Sequence, residues 1–343
     1  MKPSVLIVGA LLSSTRGIRS VSEDLAARLS SAGWEVLATS EKPGRLARLL
    51  DMVMTVWRRR REYDVANVEV FSRLAFCWAE AVCLLLRLFG KPYILTLHGG
   101  SLPEFARRWP RRVRRLLRSA KFVTAPSGYL IERMSDYRSD LILLPNPLKL
   151  EAYPFRPRVH ASPKLVWFRA FHRTYNPTLA PRVVKQLASE FPEIHLDMIG
   201  PDKDDGSAEE VRQVVSALEI SRRVSQVGVV AKTTVPQYLD RGDIFLNTAN
   251  VDNAPVSVLE AMACGLCVVS TNVGGLPYLL EHERDALLVP PDDSQAMAAA
   301  VRRILTSPQF AEMLSQNARR KAEQHDWLVI LPQWERLFES AIR

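Results

Sequence analysis

Short apolar runs alternate along this chain with longer stretches whose apolar residues recur at helical spacing. The short runs read as strands buried on both faces, and the longer stretches read as helices packed on one side. Residues 3–12 predict a first strand, 20–32 an amphipathic helix closed by Gly33, and 34–39 a second strand. This β-loop-α-β opening is how a doubly wound sheet begins, and such sheets gather ligands beyond the carboxyl ends of their strands. A helix over 45–61 ends in Trp-Arg-Arg-Arg-Arg-Glu, and a strand follows over 63–70. Residues 71–89 are strongly apolar but carry Arg73, Glu80 and Arg87, charges that are costly in a bilayer, so they read as a buried or interfacial helix. A strand over 93–97 delivers His98, Gly99 and Gly100 at its end, where a histidine is placed to meet a ligand and glycine allows close backbone approach. A strand at 122–126, a helix at 127–134 capped by Ser127 and a strand at 141–144 complete the half. Turns and prolines from 145 to 163 mark a boundary.

The second half restarts with a strand over 164–168, followed by Arg169. Further strands read at 194–199, 224–230 with Gly228, and 244–247; residues 296–321 read as helical and 327–343 as a terminal amphipathic helix. Between them lies the most informative stretch, 251–275. Pro255 suits the first turn of a helix, 256–264 are mostly good helix formers, Gly265 ends the run, and 266–270 read as a buried parallel strand. Asp252 precedes this helix and Glu260 lies inside it, on the face of Val256 and Ser257 and about a turn deeper. A helix N-terminus favours phosphate, and a carboxylate one turn away accepts hydrogen bonds from a vicinal diol. Phosphate at the tip with ribose beside the carboxylate describes a nucleotide site. The plainer reading, a solvated glutamate, sits poorly among Leu259, Ala261, Met262 and Ala263.

With 343 residues, 47% hydrophobic and 24% charged, the chain has room for two ordinary domains and is neither disordered nor membrane-spanning in composition. Lys2 and the apolar run behind it lack a clear signal-peptide cleavage site, so a cytoplasmic location is expected. The net charge of +9 is unevenly shared. Residues 1–150 hold 25 Lys and Arg against 13 Asp and Glu, a net of +12; residues 151–343 hold 21 against 24, a net of −3. Such asymmetry reports an anionic partner. The densest basic segment, Arg-rich 107–121, is interleaved with apolar residues and suits an anionic membrane surface; a solvated helix face is the plain alternative, and no nucleic-acid reading module accompanies it. Cys264 and Cys267 form a C-x-x-C, but with no second ligand pair they read, like Cys77 and Cys83, as buried thiols; no metal and no disulfide are expected. The loop 13–20, with Gly17, lacks the spacing of a dinucleotide fingerprint.

The stretch Asp-Asn-Ala-Pro-Val-Ser-Val-Leu-Glu-Ala-Met-Ala-Cys-Gly closely resembles the nucleotide-sugar motif of retaining GT-B glycosyltransferases of glycosyltransferase family 4, with Asp252 at the first acidic position, usually Glu, and Glu260 at the second. The resemblance implies an α/β GT-B fold: two doubly wound Rossmann-like domains facing across a cleft. Residues 1–153 would be the acceptor domain, with helix 327–343 packing back on it, and 154–326 the donor domain. It further implies transfer of a hexosyl group from a UDP- or GDP-sugar to an acceptor hydroxyl, on a saccharide or a lipid-linked or surface-polysaccharide precursor. By this resemblance Glu260 holds ribose, Asp252 the sugar, and Arg169 the diphosphate, with Arg173 the nearest second cation. His98 and Gly99 lie near the sugar, Gly17 lines the ligand, and Gly228 lies near the base. Backbone N–H groups of Ala254, Pro255's neighbours Val256, Ser257 and Val258, and Gly274 and Gly275 assist. Asn176 stands close to where the family carries a lysine, and Pro147 replaces the glycine of its hinge. No cofactor and no metal are implied, the nucleotide sugar being a substrate. A noncatalytic, membrane-associated nucleotide-sugar-binding protein of the same fold is the alternative.

Overall fold

The computed structural model describes residues 2–12 and 20–343, which fall into two compact units. Residues 13–19, and Gly17 with them, lie outside the described residues. The first unit runs to Pro147 and resumes at Trp327; the second is Leu148–Asp326. The chain therefore divides ahead of the boundary expected after residue 153. The reason is local: Leu148 N–H donates to His325 O at 2.7 Å, and Tyr153 is buried in a core of the second unit.

In the first unit the strands are β1 (Ser4–Val8), β2 (Glu35–Thr39), β3 (Val65–Val70), β4 (Tyr93–Leu97), β5 (Phe122–Ala125) and β6 (Ile142–Leu143). Among the described residues they form one six-stranded parallel sheet, ordered β2-β1-β3-β4-β5-β6. The helices are α1 (Val21–Ser31), α2 (Arg45–Arg58), α3 (Leu74–Leu88), α4 (Leu102–Arg108), α5 (Pro110–Ser119) and α6 (Gly128–Met134). Ser20 and Glu23 start α1 with a reciprocal capping box. Helix α3 buries Phe76, Ala79, Val82, Cys83 and Leu86. Among the described residues no helix is long and apolar enough to cross a membrane. The basic segment breaks at Pro110 into α4 and α5, because proline cannot donate the next helical hydrogen bond. Val113, Leu116 and Leu117 of α5 point into the core, which leaves Trp109 as its exposed large apolar residue.

The second unit has β7 (Lys164–Phe168), β8 (His195–Ile199), β9 (Val224–Gly228), β10 (Ile244–Asn247), β11 (Cys267–Thr271) and β12 (Leu287–Val289). Its described strands form a second six-stranded parallel sheet, ordered β12-β11-β10-β7-β8-β9. Helices α7 (Leu179–Leu187), α8 (Ser207–Ala217), α9 (Val235–Asp240), α10 (Val256–Ala263), α11 (Leu276–Leu279), α12 (Ser294–Thr306) and α13 (Pro308–Glu323) cover its faces, with one apolar core on each side. The single helix expected over 296–321 is two helices, because Pro308 stops the first and opens the second. Strand β9 ends at Gly228, short of the expected 230, where φ turns to +78°.

The last helix, α14 (Trp327–Ile342), belongs to the first unit. Its Trp327, Ile330, Trp334 and Phe338 share a core with Val5, Ile7, Leu25 and Leu29. Glu335 ties it down, accepting from Trp34 Nε1 at 2.9 Å and Lys2 Nζ at 2.6 Å.

Candidate functional site

In the second unit the tips of β7 and β10 and the start of α10 bring Arg169, Asp252, Ser257 and Glu260 together. Helix α10 begins at Val256, with Pro255 as its N-cap rather than its first helical residue. Proline has no side-chain acceptor, and among the described residues no side-chain cap hydrogen bond forms at this helix start. The first N–H groups of Val256, Ser257 and Val258 are thus left for a ligand, and the helix dipole gives that end partial positive charge.

Arg169 leaves the end of β7 toward this helix. Its Nη2 donates to Asp252 Oδ2, its Nη1 approaches Ser257 Oγ at 3.4 Å, and its guanidinium lies over the Tyr175 ring at 4.4 Å. The Nε is buried and has no hydrogen-bond partner among the described residues. Asp252 Oδ1 accepts from Asn253 N at 2.9 Å. Its backbone carbonyl accepts from Gly275 N at 3.0 Å. Here the two glycines are sterically required: a Cβ on Gly274 would overlap the carbonyl of Asp252, and one on Gly275 that of Asn253. Ala254 and Pro255 complete the loop between Asp252 and the helix.

Glu260 is 1% exposed in the middle of α10. Tyr153 Oη donates to its Oε1 at 2.6 Å, and Lys232 Nζ donates to the same oxygen. Both contacts fall on Oε1; Oε2 takes none among the described residues. A buried carboxylate with one oxygen held and the other open is pre-oriented for a hydroxyl donor. Neither Tyr153 nor Lys232 was singled out from the sequence. Each reaches Glu260 through tertiary contact, and the only local cue was the place of Lys232 in the turn after β9.

The remaining expected residues are dispersed. Arg173 lies on a short 3-10 turn, its N–H given to Asp205 at 2.9 Å and its side chain exposed. Asn176 donates from Nδ2 to Asp292 at 3.0 Å. Gly228 O accepts from Gly200 N at 2.8 Å, and Gly200 packs on the Arg169 carbonyl, so the tips of β7, β8 and β9 are linked. Among the described residues no group of three or more His, Cys, Asp or Glu side chains is placed to hold a metal ion. Burial pushes the thiols of Cys264 and Cys267 up to about 12.

In the first unit His98 follows β4, stacked on Phe71 at 4.8 Å. Gly99 next to it has φ +84° and open space where a Cβ would be. The His98 Nε2 is buried, 3.6 Å from Glu69 Oε1 and without a hydrogen-bond partner among the described residues. Glu69, also missed from the sequence, accepts from Ser22 Oγ and from Ala10 N at 3.2 Å. Burial lowers the His98 pKa from its ordinary 6.5, and the Glu69 carboxylate opposes that shift.

Paired parallel sheets with interleaved helices, and an uncapped helix start beside a buried carboxylate, are the features of a GT-B protein. The known proteins agree. The family described as glycosyl transferases group 1 matches residues 155–321, and glycosyltransferase family 4 matches 15–152. The chain belongs to the GT-B glycosyltransferases of this family. Sucrose-phosphate synthase from Thermosynechococcus elongatus superposes with a TM-score of 0.82 at 20% identity, covering 99% of both chains. Anabaena HepE in complex with UDP and glucose gives 0.77 at 20% identity, covering 98% of this chain and 100% of that one. Among curated relatives, the D-inositol 3-phosphate glycosyltransferase of Pseudarthrobacter chlorophenolicus is 22% identical over 84% of this chain and 73% of its own length. The amylovoran biosynthesis glycosyltransferase AmsK of Erwinia amylovora is 39% identical, but over 24% of this chain and 21% of that protein. Two other curated relatives are spanned over about a third of their length.

Proposed function

We propose that this chain transfers a glycosyl group from a nucleoside diphosphate sugar to an acceptor hydroxyl, with retention at the anomeric carbon. The observation that carries this reading is the joining of Arg169, Asp252 and Ser257 at the uncapped start of α10, one turn above Glu260. Glu260 Oε2 receives the ribose diol. The diphosphate lies against the helix N-terminus and Arg169, whose planar fork suits phosphate oxygens. The bond from the anomeric carbon to the diphosphate oxygen breaks, and the electron pair leaves with the nucleotide. The acceptor oxygen bonds to the same face, and its proton passes to the departing phosphate. The protein's contribution is to stabilise the charge growing on that phosphate.

Lys232 is assigned as the second cation in preference to Arg173, since it already sits against Glu260 while half exposed. Asp252 addresses the donor sugar, and its bond to Arg169 couples sugar and diphosphate recognition. His98 and Gly99 keep the sugar-proximal role that the family motif gives them, and Gly228 the base-proximal one. The HepE structures hold UDP, and one relative is named for amylovoran biosynthesis. These support a UDP-sugar donor and a saccharide acceptor; a lipid-linked acceptor met at the inner face of the cytoplasmic membrane is part of the proposal.

The test is nucleotide release from UDP-, GDP- and ADP-sugars over a panel of glycosyl and lipid-linked acceptors, with and without EDTA. One donor should turn over, the rate should persist in EDTA, and Arg169→Ala should lower kcat by about 100-fold or more. Tight nucleotide binding with no turnover on any acceptor would instead establish a binding protein of the same fold.

A further inference from the structure

Helix α2 leaves exposed what a folded domain ordinarily covers. Met52, Val56 and the inner part of Arg48 turn into the core. On the opposite side Leu46, Leu50, Met54 and Trp57 recur at helical spacing and are 78%, 64%, 38% and 50% exposed. Scattered surface leucines need no explanation, but four large apolar side chains on one helix face form a continuous stripe.

The charge around the stripe is positive at both ends. Arg45 precedes it, and residues 58–61, all arginine, follow it. Arg60 donates to the Trp57 carbonyl at 2.8 Å and lies over Phe89, which holds a cation beside the stripe. Arg59 pairs with Glu62, while Arg58 and Arg61 are exposed. The one acidic residue of the helix, Asp51, accepts from Thr39 Oγ1 at 3.1 Å. Alongside runs a groove of about 690 Å³ between α2 and the edge strand β2, with Leu50 and Met54 in its wall and Lys42, Arg58 and Glu41 among its lining.

We propose that α2 is the element by which this chain lies on an anionic lipid surface, its stripe in the headgroup–acyl boundary and its arginines on lipid phosphates. The charge selects this occupant. A second copy packed stripe to stripe would bring two sets of arginines together, and a neutral apolar partner would leave them unanswered. An anionic bilayer meets both the stripe and the arginines. The helix is 14 residues long, enough to lie in the interface and too short to span it. The surface is distinct from the 107–121 segment, whose Val113, Leu116 and Leu117 are core residues.

The inference rests only on the membrane-proximal part of the functional reading. It is tested without donor or acceptor, so its failure leaves sugar transfer standing, and the reverse holds too. The full chain is sedimented with vesicles of phosphatidylcholine, alone or with about one-third phosphatidylglycerol. Wild type should bind the anionic vesicles, and Leu50→Glu with Trp57→Glu should weaken binding by about tenfold or more. Leu46→Gln with Met54→Gln, a milder pair at equally exposed positions, should weaken it in the same direction. Arg111→Gln, Arg114→Gln and Arg115→Gln together on α5 should change it by less than about threefold. No binding by wild type, binding indifferent to both stripe variants, or loss confined to the α5 variant would overturn the proposal. So would a lipid-free dimer that the stripe substitutions dissolve, because a second copy would then be the occupant.

Discussion

Replacing Glu260 by glutamine isolates the charge of the proposed ribose site while keeping its shape. The side chain is buried, with Oε1 engaged by Tyr153 and Lys232 and Oε2 open. An amide can still accept from Tyr153, but its other end then presents N–H₂ to the ligand where a hydroxyl donor is expected. At least one hydrogen bond to a charged acceptor is lost, worth about 1.5–3 kcal/mol. That corresponds to about 10- to 100-fold in Kd. The fold should suffer less. Lys232 is 46% exposed, so its ion pair is screened and worth about 1 kcal/mol or less. Glutamine is therefore the informative variant; alanine would also leave Tyr153 and the ammonium without their partner. Titration calorimetry with the nucleoside diphosphate, and with its 2′-deoxy analogue, completes a cycle. The deoxy analogue should bind wild type about tenfold more weakly and Glu260→Gln with a smaller penalty, because both changes remove the same bond. Glu260→Gln binding within about twofold of wild type, or a deoxy penalty that the substitution leaves unchanged, would refute the ribose assignment.

Gly275 has φ −86°, which alanine adopts freely, so Gly275→Ala tests the close approach to Asn253 alone. It should cost about 2 kcal/mol or more in denaturant unfolding and weaken nucleotide binding, while Gly90→Ala, at φ +63° with open space around it, should cost about 1 kcal/mol and leave binding alone. His98 has a folded-state pKa below its ordinary 6.5, so the unfolded chain binds the extra proton first. Stability should fall as pH drops through about 6.5 toward the lowered folded value, and the fall should flatten in His98→Gln, read as unfolding midpoints over that range.

Residues 251–275 were legible because their signals are local. A carboxylate, a proline, a run of helix formers, a glycine and a valine-rich strand follow one another within a single α-β turn, and the structure sets them in that order. The proline was displaced by one position, since a proline at the N-cap and one in the first turn leave the same trace in sequence. Tyr153 and Lys232 were not legible. They lie 107 and 28 residues from Glu260, and nothing in periodicity reports which long side chain folds over which carboxylate. The basic segment shows a different limit. Periodicity shows that α5 has an apolar face and a basic one, but not that the apolar face is already occupied by the core. By the same token the exposed stripe of α2 reads in sequence as an ordinary core-facing pattern.

The division at Pro147 and Leu148 has a consequence for how such a protein diversifies. Arg169, Asp252, Ser257, Glu260, Lys232 and Tyr153 all belong to Leu148–Asp326, so the candidate nucleotide-binding part of the donor site is a cassette within one unit. Its partners can be inherited together while the other unit is exchanged for one that suits a new acceptor. A graft joined after residue 153 would carry Tyr153 away from Glu260 and break the cassette at its most buried bond, whereas one joined after Pro147 keeps it whole.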